Sequence, residues 1–288
     1  MSFTDFEYNG QRLSDFGCMV CSFDEVGLET VSIGNNLILN TVNKTMTNKF
    51  DIMSTKYDEP YSPPPFQICK HTCNNYNLGT EELEEELIAR IMRWLNKKHY
   101  RKFKMLYSDG KCSDMYFKGT FPSVRMITLG ERVVGLELTF QANAPFGYYE
   151  PLEFYMEFPD TDTEFCIYDT SDEEGFIYPS KVEITILEDG DLEIFNSQET
   201  KYTIIKNCIA GETITLDGAN KIIQSDVAHP TLYNDFNYTF IRIINKCGEN
   251  EDYYAVDNEE DEMENIFTVS LPCNIYLSYS PICKMGVI

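Results

Sequence analysis

Three Asp-Gly pairs, each set between short runs rich in β-branched and aromatic residues, limit what this chain can fold into more than any other feature. Lys102 to Tyr107 and Met115 to Thr120 flank Asp109-Gly110, Val182 to Leu187 and Leu192 to Phe195 flank Asp189-Gly190, and Glu212 to Leu216 and Lys221 to Gln224 flank Asp217-Gly218. Asp-Gly supplies the turn backbone that joins antiparallel neighbours, so each group predicts a hairpin. The expected fold class is mainly β.

One segment departs from this pattern. Leu83, Leu87, Ile91, Trp94 and Leu95 recur every three to four residues and form a single apolar stripe. Thr80 is a suitable N-cap, Glu81 to Glu86 suit the positive end of a helix, and Lys97, Lys98 and His99 suit the negative end. The pattern predicts a helix over 80–98 that lays its stripe on a sheet and turns an acidic face to water. Tyr61-Ser62-Pro63-Pro64-Pro65 reads as extended loop, and the polar stretch from Asn35 to Asn48 as a long hairpin or an arm. An arm over Asn35 to Tyr57 has no evident place in a compact domain, which makes it the candidate inter-subunit contact.

A length of 288 residues suits two domains. Ala144-Pro145-Phe146-Gly147-Tyr148-Tyr149 interrupts the strand-like run Gly135 to Phe140, placing the domains at 1–149 and 150–288. The first is α+β, strands with one helix; the second, with short strands and no clear helix, reads as a β-sandwich or jelly roll. Charge divides at the same place. The whole chain carries 23 basic and 47 acidic residues, net −24, but residues 1–149 hold 16 and 18 of them (−2) and residues 150–288 hold 7 and 29 (−22). So acidic a chain repels phosphate backbones, which argues against a nucleic-acid partner. Met1 to Glu7 lacks a basic cluster and an apolar run, so no export signal is expected, and the uncharged stretch Asn265 to Cys283 is broken by Pro272 and Pro281, so no membrane span is expected either. Without an export signal, the ten cysteines are expected to be reduced thiols.

No motif for catalysis survives inspection. Cys18-Met19-Val20-Cys21 and Cys69-Lys70-His71-Thr72-Cys73 have thiol spacings that could hold zinc, yet residues three apart on a strand point to opposite faces, and buried reduced cysteines are the better reading. Asp257-Asn258-Glu259-Glu260-Asp261-Glu262 starts like a calcium loop, but its sixth position is Glu262 instead of Gly and its twelfth is Thr268 instead of Glu. Gly110-Lys111-Cys112 lacks the earlier Gly and the following Ser or Thr of a phosphate loop. His71, His99 and His229 sit near no nucleophile motif. No catalytic, cofactor or metal residue is therefore expected, and the chain is not expected to be an enzyme.

In order and spacing, the pieces resemble the distal tail protein (Dit) family of siphophages. The N-terminal half carries Phe6-Glu7-Tyr8-Asn9-Gly10, Asp15-Phe16-Gly17, Trp94-Leu95, Phe103-Lys104-Met105-Leu106-Tyr107 and Gly135 to Phe140 leading into Ala144 to Tyr148. The C-terminal half carries Tyr178-Pro179-Ser180-Lys181-Val182-Glu183-Ile184, Ile194-Phe195-Asn196, Gly211 to Asp217 and Leu271-Pro272-Cys273-Asn274-Ile275, where Cys273 stands in place of a glycine of relatives. The resemblance implies an N-terminal β-sandwich with one helix and an arm-like hairpin that closes a hexameric ring at the tail tip. It implies a C-terminal galectin-like β-sandwich projecting outward, in the short form of the family, from a phage or a prophage. The implied partners are the tail tube protein, the tail-associated hub protein and a receptor-binding protein, in a virion made in the host cytoplasm. Two further readings remain: a carbohydrate-binding or adhesion module, for which 39 aromatic residues could provide stacking platforms, and a hydrolase of cell-wall sugars.

Overall fold

Asn9 and Gly10, with φ of 52° and 78°, join β1 (Asp5–Tyr8) to β2 (Gln11–Arg12) in a two-residue turn that sets Tyr8 opposite Gln11. Positive φ at both turn positions matches the twist of the flanking strands, which is why Asn and Gly stand there. The computed structural model describes residues 3–23, 37–43, 49–70, 81–107, 114–245 and 263–284, in two compact units that divide between Tyr148 and Tyr149. Asp109-Gly110, the Gly110-Lys111-Cys112 run, His71, Cys73, Thr80 and Asp257 to Glu262 lie outside the described residues.

The first unit continues with a 3-10 turn at Leu13–Phe16, β3 (Cys18–Cys21), β4 (Leu37–Asn43), β5 (Phe50–Tyr57) and β6 (Phe66–Lys70). Then come α1 (Glu85–Leu95), β7 (Arg101–Leu106), β8 (Met115–Leu129), β9 (Arg132–Ala142) and β10 (Gly147–Tyr149). The main sheet runs in the order β2-β1-β7-β8-β9-β6-β3, each neighbour antiparallel, with β10 added to β8. Thr4 donates its N–H to Leu106 at 3.2 Å and accepts from the Val20 N–H at 3.1 Å, so the sheet curls until its last strand returns to the start of β1.

Helix α1 lies on this sheet by a shorter stretch than 80–98. Its N-cap is Glu84, with no side-chain cap, and its buried stripe is Ile88, Ile91, Trp94 and Leu95. The cause is upstream: the Leu83 N–H donates to the Val133 carbonyl at 2.8 Å and the Leu83 side chain is buried, so the chain up to Glu84 is held extended along the sheet. Leu87, a member of the expected stripe, is only partly covered. Trp94 stacks on Phe16 (4.6 Å between centroids) and Phe6 (5.3 Å), and its indole N–H donates to the Tyr8 carbonyl at 2.8 Å. Phe103, Phe121 and Phe140 continue the cluster beneath the helix. Gly119 is obligatory here, because a Cβ would come within 2.2 Å of the Phe140 ring and 2.5 Å of the Gln141 carbonyl oxygen.

The second unit is a sandwich of two antiparallel sheets. Its strands are β11 (Leu152–Phe158), β12 (Phe165–Asp169), β13 (Phe176–Ile177), β14 (Lys181–Ile186), β15 (Gly190–Asn196), β16 (Thr203–Cys208), β17 (Thr213–Asp217), β18 (Ile222–Ser225), β19 (Ile243–Ile244), β20 (Met263–Val269) and β21 (Cys273–Tyr279). One sheet has the order β11-β21-β14-β17-β18, the other β12-β20-β15-β16, and β13 pairs with β19. Strict alternation builds the core: Phe154, Leu277, Val182, Leu216 and Ile223 form one inward row across the first sheet, and Met156, Ile275, Ile184 and Ile214 the next. Ile167, Leu192, Ile194, Ile205 and Phe267 face them from the second sheet.

Two expectations change here. Asp217-Gly218 does close a hairpin, with Asp217 opposite Ile222 and the Asp217 carboxylate accepting from the Asn220 backbone and side chain. Asp189-Gly190 does not, because β14 and β15 belong to different sheets, so this turn carries the chain across the sandwich. The second half also contains one short helix, α2 (Leu232–Asp235). Cys273 is the first residue of β21, fully buried opposite Phe158 and Ile186, so the preceding turn at 270–272 is formed without it.

Candidate assembly surface

The arm expected at Asn35 to Tyr57 is a hairpin, described over 37–43 and 49–57. Among the described residues, strands β4 and β5 pair only with each other, from Leu37 opposite Tyr57 to Asn43 opposite Phe50. A register shift after Asn40 puts Met53 in a bulge. The pairing gathers Leu37, Leu39, Ile52 and Phe50 on one face, together with Thr41 and Thr55. These apolar side chains are 53–66% exposed, where a folded monomer ordinarily hides its leucines and phenylalanines. The segment is thus less polar than its asparagines suggested. The apolar run at 37–39, and the alternation at Phe50 and Ile52, were the sequence signal for it. A lone two-stranded ribbon is marginally stable in water, so a solvent-facing apolar ribbon calls for a partner surface.

The remaining candidates are dispersed. β3 runs without interruption from Cys18 to Cys21, so its alternation sends those two thiols to opposite faces. Cys18 is buried, its thiol pushed up to about 11 by desolvation. Cys21 shares its face with Cys69 of β6, diagonal to it in the register, and the interaction with its neighbour raises the pKa of Cys21 and lowers that of Cys69. Among the described residues, no group of three or more His, Cys, Asp and Glu side chains converges as metal ligands. His99 is exposed.

Sequence reasoning missed a buried polar network in the second unit. His229 points Nδ1 at Glu212 Oε1 (2.8 Å) and Nε2 at Asp235 Oδ2 (3.3 Å), tying the start of β17 to α2. Ser225 Oγ donates to Glu212 Oε1 at 2.6 Å, so the hydroxyl faces a carboxylate and not the imidazole, an arrangement that braces the fold and does not make a nucleophile. Only the His229-Pro230 pair after a hairpin hinted at it. Elsewhere in this unit Arg242 grips Glu199 through two nitrogens and lies 4.4 Å over the Phe176 ring. The outer face of the five-stranded sheet sets Tyr155 directly opposite Tyr276.

Comparison with known proteins accounts for both units. Residues 1–144 match the model of a phage tail protein N-terminal domain family, and residues 146–279 match that of a phage tail C-terminal domain. The chain belongs to this phage tail protein family. Among solved structures it is similar to the Dit (gp 19.1) protein of phage SPP1, described as a paradigm of the hub adsorption apparatus in phages infecting Gram-positive hosts; the TM-score is 0.59 at 10% identity, over 96% of this chain and 98% of that one. A chain of the phage P2 baseplate in its activated, calcium-containing conformation also matches, at a TM-score of 0.47 and 10% identity, over 96% of this chain and 98% of that one. No curated protein matches the sequence. The tail protein thus has a Dit-like, mainly antiparallel β fold. Among its described residues, no helix is long and apolar enough to cross a membrane.

Proposed function

We propose that this Dit-like tail protein is the hub subunit of a tail tip, closing a hexameric ring that joins the tail tube to the distal adhesion components. The observation that carries the reading is the apolar face of the β4–β5 arm, which a neighbouring copy would cover. Charge supports the same orientation. Identical near-neutral first units can be packed around a ring with little repulsion, whereas identical units at −22 are better held apart on its outside. In this reading the tail tube and a tail-associated hub protein stack on the ring, a receptor-binding protein docks on the second unit, and no residue is catalytic. Mass photometry of the full chain, with negative-stain images, tests it: a six-copy ring is expected, and a monomer at micromolar concentration contradicts it.

One observation favours a second reading for the outer unit. Tyr155, 58% exposed, lies beside Tyr276, over which Lys181 sits at 5.1 Å, a small aromatic and polar platform of the kind that stacks on sugar rings. Retention of the chain on immobilised wall glycans, lost in Tyr155→Ala, would support an adhesive role.

A further inference from the structure

The charge of the first unit is near zero as a sum but not in its distribution. Residues 81–86 carry five Glu and no cation, and residues 87–107 carry seven Lys and Arg with no Asp or Glu. Two tethers hold the ends of this stretch apart. The Leu83 N–H donates to the carbonyl of Val133, which lies opposite Thr128, and the Thr120 hydroxyl donates to the Lys97 carbonyl at 2.9 Å. The acidic and basic groups therefore sit toward opposite ends of β8, about 25 Å apart. Around the basic end, β7 contributes Arg101, and the register sets Lys102 directly opposite Lys118 of β8, like charges that repel one another. A helix end attracts opposite charge only within its terminal turn. That accounts for Glu85 and Glu86, and for Lys97, whose ammonium donates to the Arg93 carbonyl, but not for Glu81 and Glu82 or for Arg101 and Lys118. Glu81 pairs with Lys70 at 3.6 Å. Glu82, Glu85, Arg93, Lys98, Arg101 and Lys118 are exposed, and among the described residues none of them forms an ion pair.

We infer that this basic end is a docking surface for the acidic end of a neighbouring copy's first unit, so that Glu82 and Glu85 of one copy face Arg93 and Lys98 of the next. Charge complementarity selects that occupant. Each copy carries both halves of the pair on one unit, and about 25 Å between them is well beyond the screening length of about 8 Å, so they cannot neutralise one another within a copy. Two unlike ends meet head to tail, the kind of contact from which rings are closed. The apolar face of the β4–β5 arm supplies burial, and the charged ends decide which edge of the next copy it meets, because electrostatic complementarity governs encounter and orientation more than affinity. The identity of the neighbour rests on the ring reading, whereas the contact itself does not require six copies.

A charge swap in the full chain tests it. Glu82→Lys with Glu85→Lys places cations in the acidic end, and Arg93→Glu with Lys98→Glu places carboxylates in the basic end. In mass photometry at low salt, each variant alone should associate about tenfold more weakly than wild type, and an equimolar mixture of the two should regain wild-type association. In an alternating assembly every contact is either unchanged or reversed on both sides, so opposite charges meet again, and misfolding could not produce that recovery. Carbodiimide coupling of an isotope-mixed wild-type assembly reads the contact without substitution: peptides joining Lys97, Lys98 or Lys118 of one copy to residues 81–86 of another are expected. Variants that associate as well as wild type, a mixture that stays dispersed, or coupling of those lysines between copies only to acids of the second unit would overturn the contact and leave the ring. Recovery on mixing in an assembly that is not six-fold would overturn the ring and leave the contact, and a wild-type chain that stays monomeric contradicts both.

Discussion

The two units differ in how their cores are built, in where apolar side chains cluster outside and in net charge. The first has a core of ring against ring, Phe6, Trp94, Phe103, Phe121 and Phe140, and leaves Leu37, Leu39, Phe50 and Ile52 in water on its arm. The second packs aliphatic rows between two sheets and also buries polar groups that pair with one another: Glu212 with His229 and Ser225, and Asn196 with Asn265. Its excess acid is carried as net charge of −22 against −2 for the first half. An apolar ribbon with little net charge suits a part that associates, and a strong net charge suits a part held apart in solvent. Both are β-sandwich proteins in outline, so this contrast comes from side chains and not from topology.

The contrast can be broken most severely at the arm. Leu39→Glu with Ile52→Glu places carboxylates on the apolar face and should abolish self-association in mass photometry, with the circular dichroism of both units unchanged. A double substitution on the outward face of the second unit, Glu183→Gln with Glu157→Gln, should leave association intact. Next in size is Trp94→Ala, which empties the stacking site between Phe6 and Phe16 and removes the hydrogen bond to Tyr8. It should cost about 3–5 kcal/mol, seen in calorimetry as a lowered transition of the first unit alone. His229→Ala should destabilise only the second unit, by about 2–3 kcal/mol, because it leaves the buried Glu212 carboxylate with less compensation.

Smaller effects sharpen the same comparison. Salt screens like charges, so raising it should lift the melting temperature of the acidic second unit more than that of the first. The smallest effect is acid-linked. Hydrogen bonds from Asn220 hold Asp217 below the ordinary value of 3.8, so its stabilising share is complete above that pH and is lost as pH falls through the depressed value. Asp217→Asn should flatten that part of the acid unfolding curve, measured by tryptophan-independent far-ultraviolet dichroism.

What the sequence made legible was local. Asp217-Gly218 specifies its turn with its own backbone preference and is found as a hairpin. Asp189-Gly190 has the same chemistry but a different outcome, because a turn dipeptide says that the chain reverses and does not say which sheet receives the next strand. The start of α1 moved for a similar reason: acidic residues before Leu83 favour a helix end, yet a hydrogen bond to Val133, fifty residues later, keeps them extended. The network of Glu212, Ser225, His229 and Asp235, and the thiol pair of Cys21 and Cys69, depend on strand register and could not be read from spacing. The arm was legible in place but not in character, since its asparagines masked the alternating apolar face.

Amide hydrogen exchange over residues 37–57 of the assembled full chain tests the central claim most directly. In a ring closed through the arm, amides of β4 and β5 are strongly protected in the wild-type assembly and exchange rapidly in the dispersed Leu39→Glu, Ile52→Glu variant. Rapid exchange of those amides in an intact assembly, with protection gained at the edges of the second unit instead, would contradict the account.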